Sequence, residues 1–306
     1  MLTCDTYVTA RTLDEAFDAL AAHAGACRLV AGGTDLLPWA REGRAGDVHV
    51  PMLIDIGRIP ELCAVALEGA RIRLGAATPM QRFLDQPRLR AVLPCMPHCT
   101  VWFADDQIRE QATLGGNLVN ASPAADAYPP LLAHGAVAEI AARRDGKIER
   151  RRLALQDFYR GPNRTALEPD EILVAVECDA LPGYGGSFQK VGHRRSLVIS
   201  VACVAAVVRL DASRRRFDDV RLAVAGVGPS PQRLADVEAS LRGAPIDART
   251  IDRAAAMRLD LVQSRTRQDY RRGVLRGFIA RALTEAAAET GAEVESVSAD
   301  LEAMYA

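Results

Sequence analysis

Apolar side chains recur at helical spacing at Leu13, Ala16, Phe17, Leu20 and Ala21, directly behind Thr12 and with Glu15 three residues further on. A hydroxyl at the last non-helical position and a carboxylate three residues later together satisfy the orphan amides of a helix start, so a helix is predicted from Thr12 to Ala26. Cys27 to Ala31 is a short apolar run stopped by Gly32-Gly33, and Met52 to Ile56 is another stopped by Gly57. Both predict short strands, and the opening region reads strand, helix, strand, loop, strand. Arg71 to Ala76 predicts a further strand. Thr78-Pro79 predicts a helix running through Leu84, because proline fits the first helical turn. Pro129 to His134 reads as a short helix, and Ala136 to Ala142 as a strand closed by an Asp145-Gly146 turn.

The pattern changes after Pro182-Gly183-Tyr184-Gly185-Gly186, a linker-like stretch, and a domain boundary is expected near residues 176–186. Ser187 to Val191, Ser200 to Leu210 and Phe217 to Val227 read as three strands separated by polar turns. Leu234 to Leu241, Asp247 to Met257 and Arg267 to Thr290 read as helices. An alternating first part followed by strands and then helices predicts an α+β or α/β region with a small antiparallel sheet backed by helices behind it.

Composition narrows the function classes. The 306 residues are 49% hydrophobic and 25% charged with a formal net charge of -1, so there is no global basic field to favour nucleic acid or an anionic membrane. No apolar stretch approaches the ~20 residues of a membrane span, and the start lacks the pattern of a signal peptide, so a cytoplasmic location is expected. Seven cysteines are scattered, with only Cys95 and Cys99 close together. A disulfide framework is not expected, nor is an iron–sulfur cluster, which needs a second tight pair of thiolates. Arginine outnumbers lysine, but the runs at 143–144 and 214–216 read as solvated turns.

Two glycine-rich segments carry the candidate chemistry. In Arg28-Leu29-Val30-Ala31-Gly32-Gly33-Thr34-Asp35-Leu36-Leu37-Pro38 an apolar strand runs into two glycines. Bare backbone N–H groups at a strand end can approach a diphosphate, while a tight turn between strand and helix is the other reading. It is neither a Walker loop nor GxGxxG. The second segment runs from Thr113 to Asp126, TLGGNLVNASPAAD, and gathers hydroxyls, amides, glycines and one carboxylate. That is the inventory for phosphate oxygens and ribose hydroxyls. Phe103, in WFADDQIR, offers an aromatic face to an adenine, or a core side chain.

AGGTDLLP and ATLGGNLVNASPAADAYPPLLAHGA resemble the two FAD-binding signatures of the flavoprotein medium subunits of the xanthine oxidase (molybdenum hydroxylase) family. DQIREQAT, DEILVAVECDALP at 170–182, SFQKVGHRRSLVISVACVAAVV at 187–208 and SRTRQDYRRGVLRGFIARAL at 264–283 echo the same family in order, so the resemblance spans nearly the whole chain. A cysteine-bearing insertion found in 4-hydroxybenzoyl-CoA reductase-like members is absent, since TLGGN runs straight on to ASPAAD. The fold implied is α+β: a PCMH-type FAD-binding domain over 1–176, with subdomains of about 1–57 and 58–176, followed by a CO dehydrogenase flavoprotein-like domain over 183–290 with a three-stranded antiparallel sheet and a helical bundle.

By resemblance, Val30, Ala31, Gly32, Gly33, Thr34, Asp35, Leu36 and Leu37 wrap the FAD diphosphate, and Phe103 lies by the adenine. Thr113, Leu114, Gly115, Gly116, Asn117 and Asn120 bind the diphosphate region, and Asp126 binds a ribose hydroxyl. Leu173 and Lys190 lie beside the isoalloxazine. Arg194 and Arg195 match a basic pair of the family, with a solvated turn as the other reading; His193 matches no role, and a covalent flavin link is not implied. The resemblance further implies an electron-transfer subunit holding FAD noncovalently. Its partners would be a molybdopterin-binding large subunit and a small subunit with [2Fe–2S] clusters, as a dimer of heterotrimers. Molybdopterin and clusters would reside only in those partners, and this chain would hold no catalytic acid, base or metal ligand. A stand-alone FAD-dependent oxidase and a non-catalytic nucleotide-binding assembly protein are the alternatives.

Overall fold

The computed structural model describes residues 1–44, 46, 48–194, 197–263 and 266–292. Arg195 lies outside them, as do Ser264 and Arg265 at the head of the last family-like segment. The chain forms two compact units that interleave along it. The first comprises Met1–Arg82, Asp105–Ala121 and Ala136–Asp179; the second comprises Phe83–Ala104, Ser122–Gly135 and the stretch that begins at Ala180.

In the first unit, Thr3–Thr9, His49–Asp55 and Cys27–Val30 form a three-stranded sheet with His49–Asp55 central and both neighbours parallel to it. The helix Leu13–Ala22 buries Leu13, Ala16, Phe17 and Leu20 in a cluster with Met52, Ile54, Ile172 and Val174. Thr12 caps it as expected, its Oγ1 accepting from the Glu15 amide at 3.1 Å. The Glu15 carboxylate, however, accepts from the Arg11 amide at 2.7 Å, one residue before the capping position. The helix stops at Ala22 rather than Ala26, because the chain turns at Gly25, whose φ is +77°.

The larger sheet of this unit has the order Val65–Glu68, Arg71–Gly75, Glu171–Asp179, Val137–Arg144, Lys147–Ala154, antiparallel throughout. Lys147–Ala154, KIERRRLA, has no apolar alternation and escapes a hydrophobic-pattern reading. It pairs with Val137–Arg144 as the second arm of a hairpin whose turn residues, Asp145 and Gly146, both have positive φ, and its arginines meet carboxylates: Arg150 reaches Glu139 at 2.6 Å, Arg151 reaches Glu171 at 2.6 Å, and Arg152 reaches Glu177 at 2.8 Å. The helix expected from Thr78 is confined to Arg82–Asp85. Pro79 instead bridges Thr113, and the Met80 amide donates to the Ala112 carbonyl at 2.9 Å.

In the second unit the three expected strands, observed as Gly185–Val191, Ala202–Leu210 and Phe217–Ala225, form an antiparallel sheet extended by the two-residue Gln232–Arg233. Ala202, Val204, Ala206 and Val208 face a core built with helices Ala235–Leu241, Ala248–Ala255 and Gln268–Glu289. The alternate residues Cys203, Ala205 and Val207 pack with Cys99, Cys95 and Ala133 on the other side. Coverage of both faces is why this strand reads as a continuous apolar run. Among the described residues no helix is long and apolar enough to cross a membrane.

His98, on helix Cys95–Val101, pairs with Glu289 at 2.7 Å, and the other Glu289 oxygen accepts from the Gly186 amide at 2.9 Å. The hydrogen bond that His98 donates to the Glu289 carboxylate holds the His98 pKa above its ordinary value. A raised folded-state histidine pKa gives stability that is full below the unfolded value of about 6.5 and is lost as pH rises through the folded value. The melting temperature of the wild type should therefore fall towards that of His98→Gln as pH rises past neutrality; a difference independent of pH would refute the pairing.

Candidate functional site

The first glycine pair follows the strand Cys27–Val30, and the Ile56 amide still donates to the Val30 carbonyl at 2.9 Å. Gly33 has φ +68°, the left-handed region that glycine enters without a Cβ penalty, and the chain then enters helix Leu36–Arg41. Gly32 is needed for a different reason. A Cβ there would stand 1.9 Å from the Gln111 carbonyl oxygen and 3.2 Å from the Ala112 Cα. The two glycine-rich segments are thus brought together by backbone contact, and on that side of Gly32 the space that the sequence reading left to a diphosphate is filled by protein.

The loop keeps its amides. Among the described residues no hydrogen bond uses the N–H groups of Gly32, Gly33, Thr34 or Asp35. Successive uncommitted amides at a strand end make a concavity suited to an oxyanion. Thr34 is half-buried, and Ala31 lies beside Gly57. Burial pushes the Asp35 carboxyl above its usual value. Leu36 points into a core with Val50 and Leu53, so only its backbone is on offer, whereas Leu37 is exposed.

The segment from Thr113 is not a loop at its start but a short helix, Leu114–Val119. Thr113 caps it, its Oγ1 accepting from the Gly116 amide at 3.0 Å. The Leu114 amide donates to the Thr78 carbonyl at 2.9 Å and the Gly115 amide to the Ala76 carbonyl at 2.7 Å. The first three amides of this helix are therefore committed to the protein, which the sequence does not reveal. Leu114 and Gly115 are buried, and a Cβ on Gly115 would meet the Ala76 carbonyl oxygen at 2.7 Å. The groups left open are the Thr113 hydroxyl proton, the exposed Gly116 and the half-buried Asn120, whose carboxamide has no partner among the described residues. Leu173 is buried in Glu171–Asp179, opposite Ile140 at an irregularity in the ladder.

In the second unit Phe103 is half-buried just after helix Cys95–Val101. Asp126 and Lys190, 64 residues apart, form an ion pair at 2.5 Å with side chains only 10% and 4% exposed. Ser200 Oγ donates to the other Asp126 oxygen at 2.6 Å, and the Lys190 ammonium also donates to the Trp102 carbonyl at 3.1 Å. Burial raises the Asp126 carboxyl, opposed by the Lys190 charge and by the lysine and serine hydrogen bonds. Each carboxylate oxygen retains acceptor capacity for a ligand hydroxyl. The Cys99 thiol donates to the Asp126 backbone carbonyl at 3.3 Å, and burial pushes it well above the usual thiol range. Among the described residues no group of three or more His, Cys, Asp and Glu side chains gathers for a metal.

Four participants escaped the sequence reading: Ala76 and Thr78, which take helix amides through their carbonyls, Trp102, which does the same for Lys190, and Ser200. All but Ser200 act through backbone, which carries no residue-type signal; Ser200 read only as a strand start.

Residues 3–178 match the family model described as FAD binding domain in molybdopterin dehydrogenase, and residues 187–286 match the CO dehydrogenase flavoprotein C-terminal domain. The chain is 29% identical over 297 residues to the xanthine dehydrogenase FAD-binding subunit of Escherichia coli O157:H7, covering 95% of this chain and 98% of that one. It is 31% identical over 290 residues to the nicotine 6-hydroxylase medium subunit of Paenarthrobacter nicotinovorans, covering 93% and 98%. A solved structure of carbon monoxide dehydrogenase from Hydrogenophaga pseudoflava superposes with a TM-score of 0.85 at 26% identity, over 94% of this chain and 99% of that chain.

Proposed function

The chain belongs to the family of FAD-binding subunits of molybdenum hydroxylases and is an oxidoreductase subunit, and on that premise we propose that it passes electrons from [2Fe–2S] clusters of a partner subunit through FAD to an external acceptor. The observation that carries this reading is the row of uncommitted amides from Gly32 to Asp35, held by Gly32 directly against the Gln111–Thr113 segment. These residues fit the diphosphate of FAD. When bound, FAD supplies the ability to exchange electrons singly on one side and in pairs on the other.

In the first unit the amides of Gly32, Gly33, Thr34 and Asp35 donate to phosphate oxygens, joined by the hydroxyls of Thr34 and Thr113 and the carboxamides of Asn117 and Asn120. Val30, Ala31, Leu36, Leu37, Leu114 and Gly115 shape the backbone around them, Gly116 leaves its side of the helix open, and Leu173 offers an apolar wall. In the second unit, Phe103 offers its ring to the adenine and Asp126 accepts from a ribose hydroxyl; Lys190, held 2.5 Å from Asp126, meets that same part of the FAD rather than the isoalloxazine that the resemblance implies for it. The Lys190 charge is shared with Asp126, so it acts as half of an ion pair rather than as an isolated cation. The assembly proposed is a dimer of heterotrimers with a molybdopterin-binding large subunit and an iron–sulfur small subunit.

The purified full chain should bind FAD noncovalently near one equivalent, and acid should release it intact. It should hydroxylate no substrate until combined with its molybdenum and iron–sulfur partners. A folded, colourless chain that FAD cannot reconstitute would overturn the cofactor reading; turnover by the lone chain would overturn the assignment to an electron-transfer role.

A further inference from the structure

The second unit carries a basic cleft that the flavin reading does not use. It has a volume of about 510 Å³ and is lined by His193, Thr266, Arg267, Tyr270 and Arg271, together with Gly192 and Val201. Among the described residues no carboxylate lines it. The cleft opens at the start of helix Gln268–Glu289, where the aligned peptide dipoles add a partial positive charge. The nearest acidic residue of that first turn, Asp269, is fully exposed and paired with Arg272 at 2.9 Å.

The arginines of this helix show what is unusual. Arg272, Arg276 and Arg281 each meet a carboxylate, at 2.9, 2.7 and 2.8 Å. Arg271 meets none: its Nη1 donates to the carbonyls of Val201 and Gly226, both at 2.6 Å, and its Nε is sealed from solvent with no acceptor among the described residues. The guanidinium is therefore oriented rigidly while its full charge stays uncompensated. Arg267, one turn earlier, is exposed and likewise has no carboxylate partner among the described residues. Two guanidinium groups without a carboxylate partner among the described residues, one of them held in place with its Nη2 still open, offer N–H donors to an oxyanion. Tyr270, 49% exposed beside them, gives an aromatic surface for the rest of a ligand.

We propose that this cleft binds a small molecule through a phosphate or carboxylate group, with Arg267 and Arg271 as the anion ligands. The site does not depend on the flavin reading. The test uses the full chain with excess FAD, so that diphosphate contacts in the first unit do not compete, at fixed ionic strength. Inorganic pyrophosphate and malonate are titrated separately by calorimetry. Saturable binding of either probe is expected, weakened about ten-fold or more when one guanidinium is lost. Arg267→Gln, at an exposed position, should do this without changing the melting temperature or flavin content, and Arg271→Lys should do it by removing the Nη2 donor while keeping a cation. Stronger pyrophosphate binding assigns a phosphorylated ligand; stronger malonate binding assigns a carboxylate. Absence of saturable binding by both probes, or affinity unchanged in both variants, would overturn the proposal.

Discussion

Asp126→Ala in the full chain is expected to cost about 3–5 kcal/mol of stability, the size seen when one partner of a buried ion pair is removed. The reason is the Lys190 ammonium, whose side chain is 4% exposed and whose remaining contact would be the Trp102 carbonyl. Lys190→Met should be costly as well, but in a pH-dependent way. Without the cation, burial is opposed only by the Ser200 hydrogen bond and raises the Asp126 carboxyl further than in the wild type. For a group whose folded pKa is raised, stability is full below the unfolded value and is lost as pH rises through the folded value. The deficit of Lys190→Met should therefore shrink in acid and grow towards neutrality. Combining Lys190→Met with Asp126→Ala removes both charges and should recover much of the loss. Urea unfolding of the four proteins closes the cycle: additive single effects, with coupling below about 0.5 kcal/mol, would mean that the pair is not formed. FAD retention should fall more than FMN retention in Asp126→Ala, because only FAD extends to an adenosine ribose; equal losses would remove Asp126 from that role.

Gly32→Ala should disrupt fold and cofactor together. Its Cβ would lie 1.9 Å from the Gln111 oxygen and 2.7 Å from the Gln111 carbon, both backbone atoms that cannot rotate away. Relief requires separating the two glycine-rich segments, an overpacking cost of about 1–3 kcal/mol or more, with loss of most bound flavin. Gly116→Val makes the opposite test. The first added atom meets only the Thr113 hydroxyl at 2.9 Å, and the residue is exposed. That variant should fold with a melting temperature within a few degrees, roughly the cost of a weakened cap, yet lose FAD. Circular dichroism melts and the flavin-to-protein ratio decide each case. Wild-type values for Gly32→Ala would deny the close approach, and wild-type flavin content in Gly116→Val would leave Gly116 with a helical role alone.

Local chemistry was legible in the chain itself. Thr12 announces its helix because the hydroxyl and the amide it caps are three residues apart, and the strand before Gly32-Gly33 is bounded by residues that stop it on the spot. The central strand of the second unit, Ala202–Leu210, stands out because burial on both faces leaves a long apolar run. The two glycine-rich segments were visible for the same reason, since each concentrates its small and polar groups within a few positions.

Tertiary structure decided what those groups do. Gly32 faces the Gln111 carbonyl, far along the chain, and the helix amides at Leu114 and Gly115 are taken by Thr78 and Ala76; neither partner can be inferred from residue type, because a carbonyl is common to every residue. The arginines of Lys147–Ala154 meet Glu139, Glu171 and Glu177 only once the sheet is assembled, and Lys190 finds Asp126 only when its strand is placed. Periodicity and capping are encoded within a turn or two of sequence, whereas these contacts are selected by which surfaces collapse together, so hydrophobic pattern names the elements and packing assigns their partners.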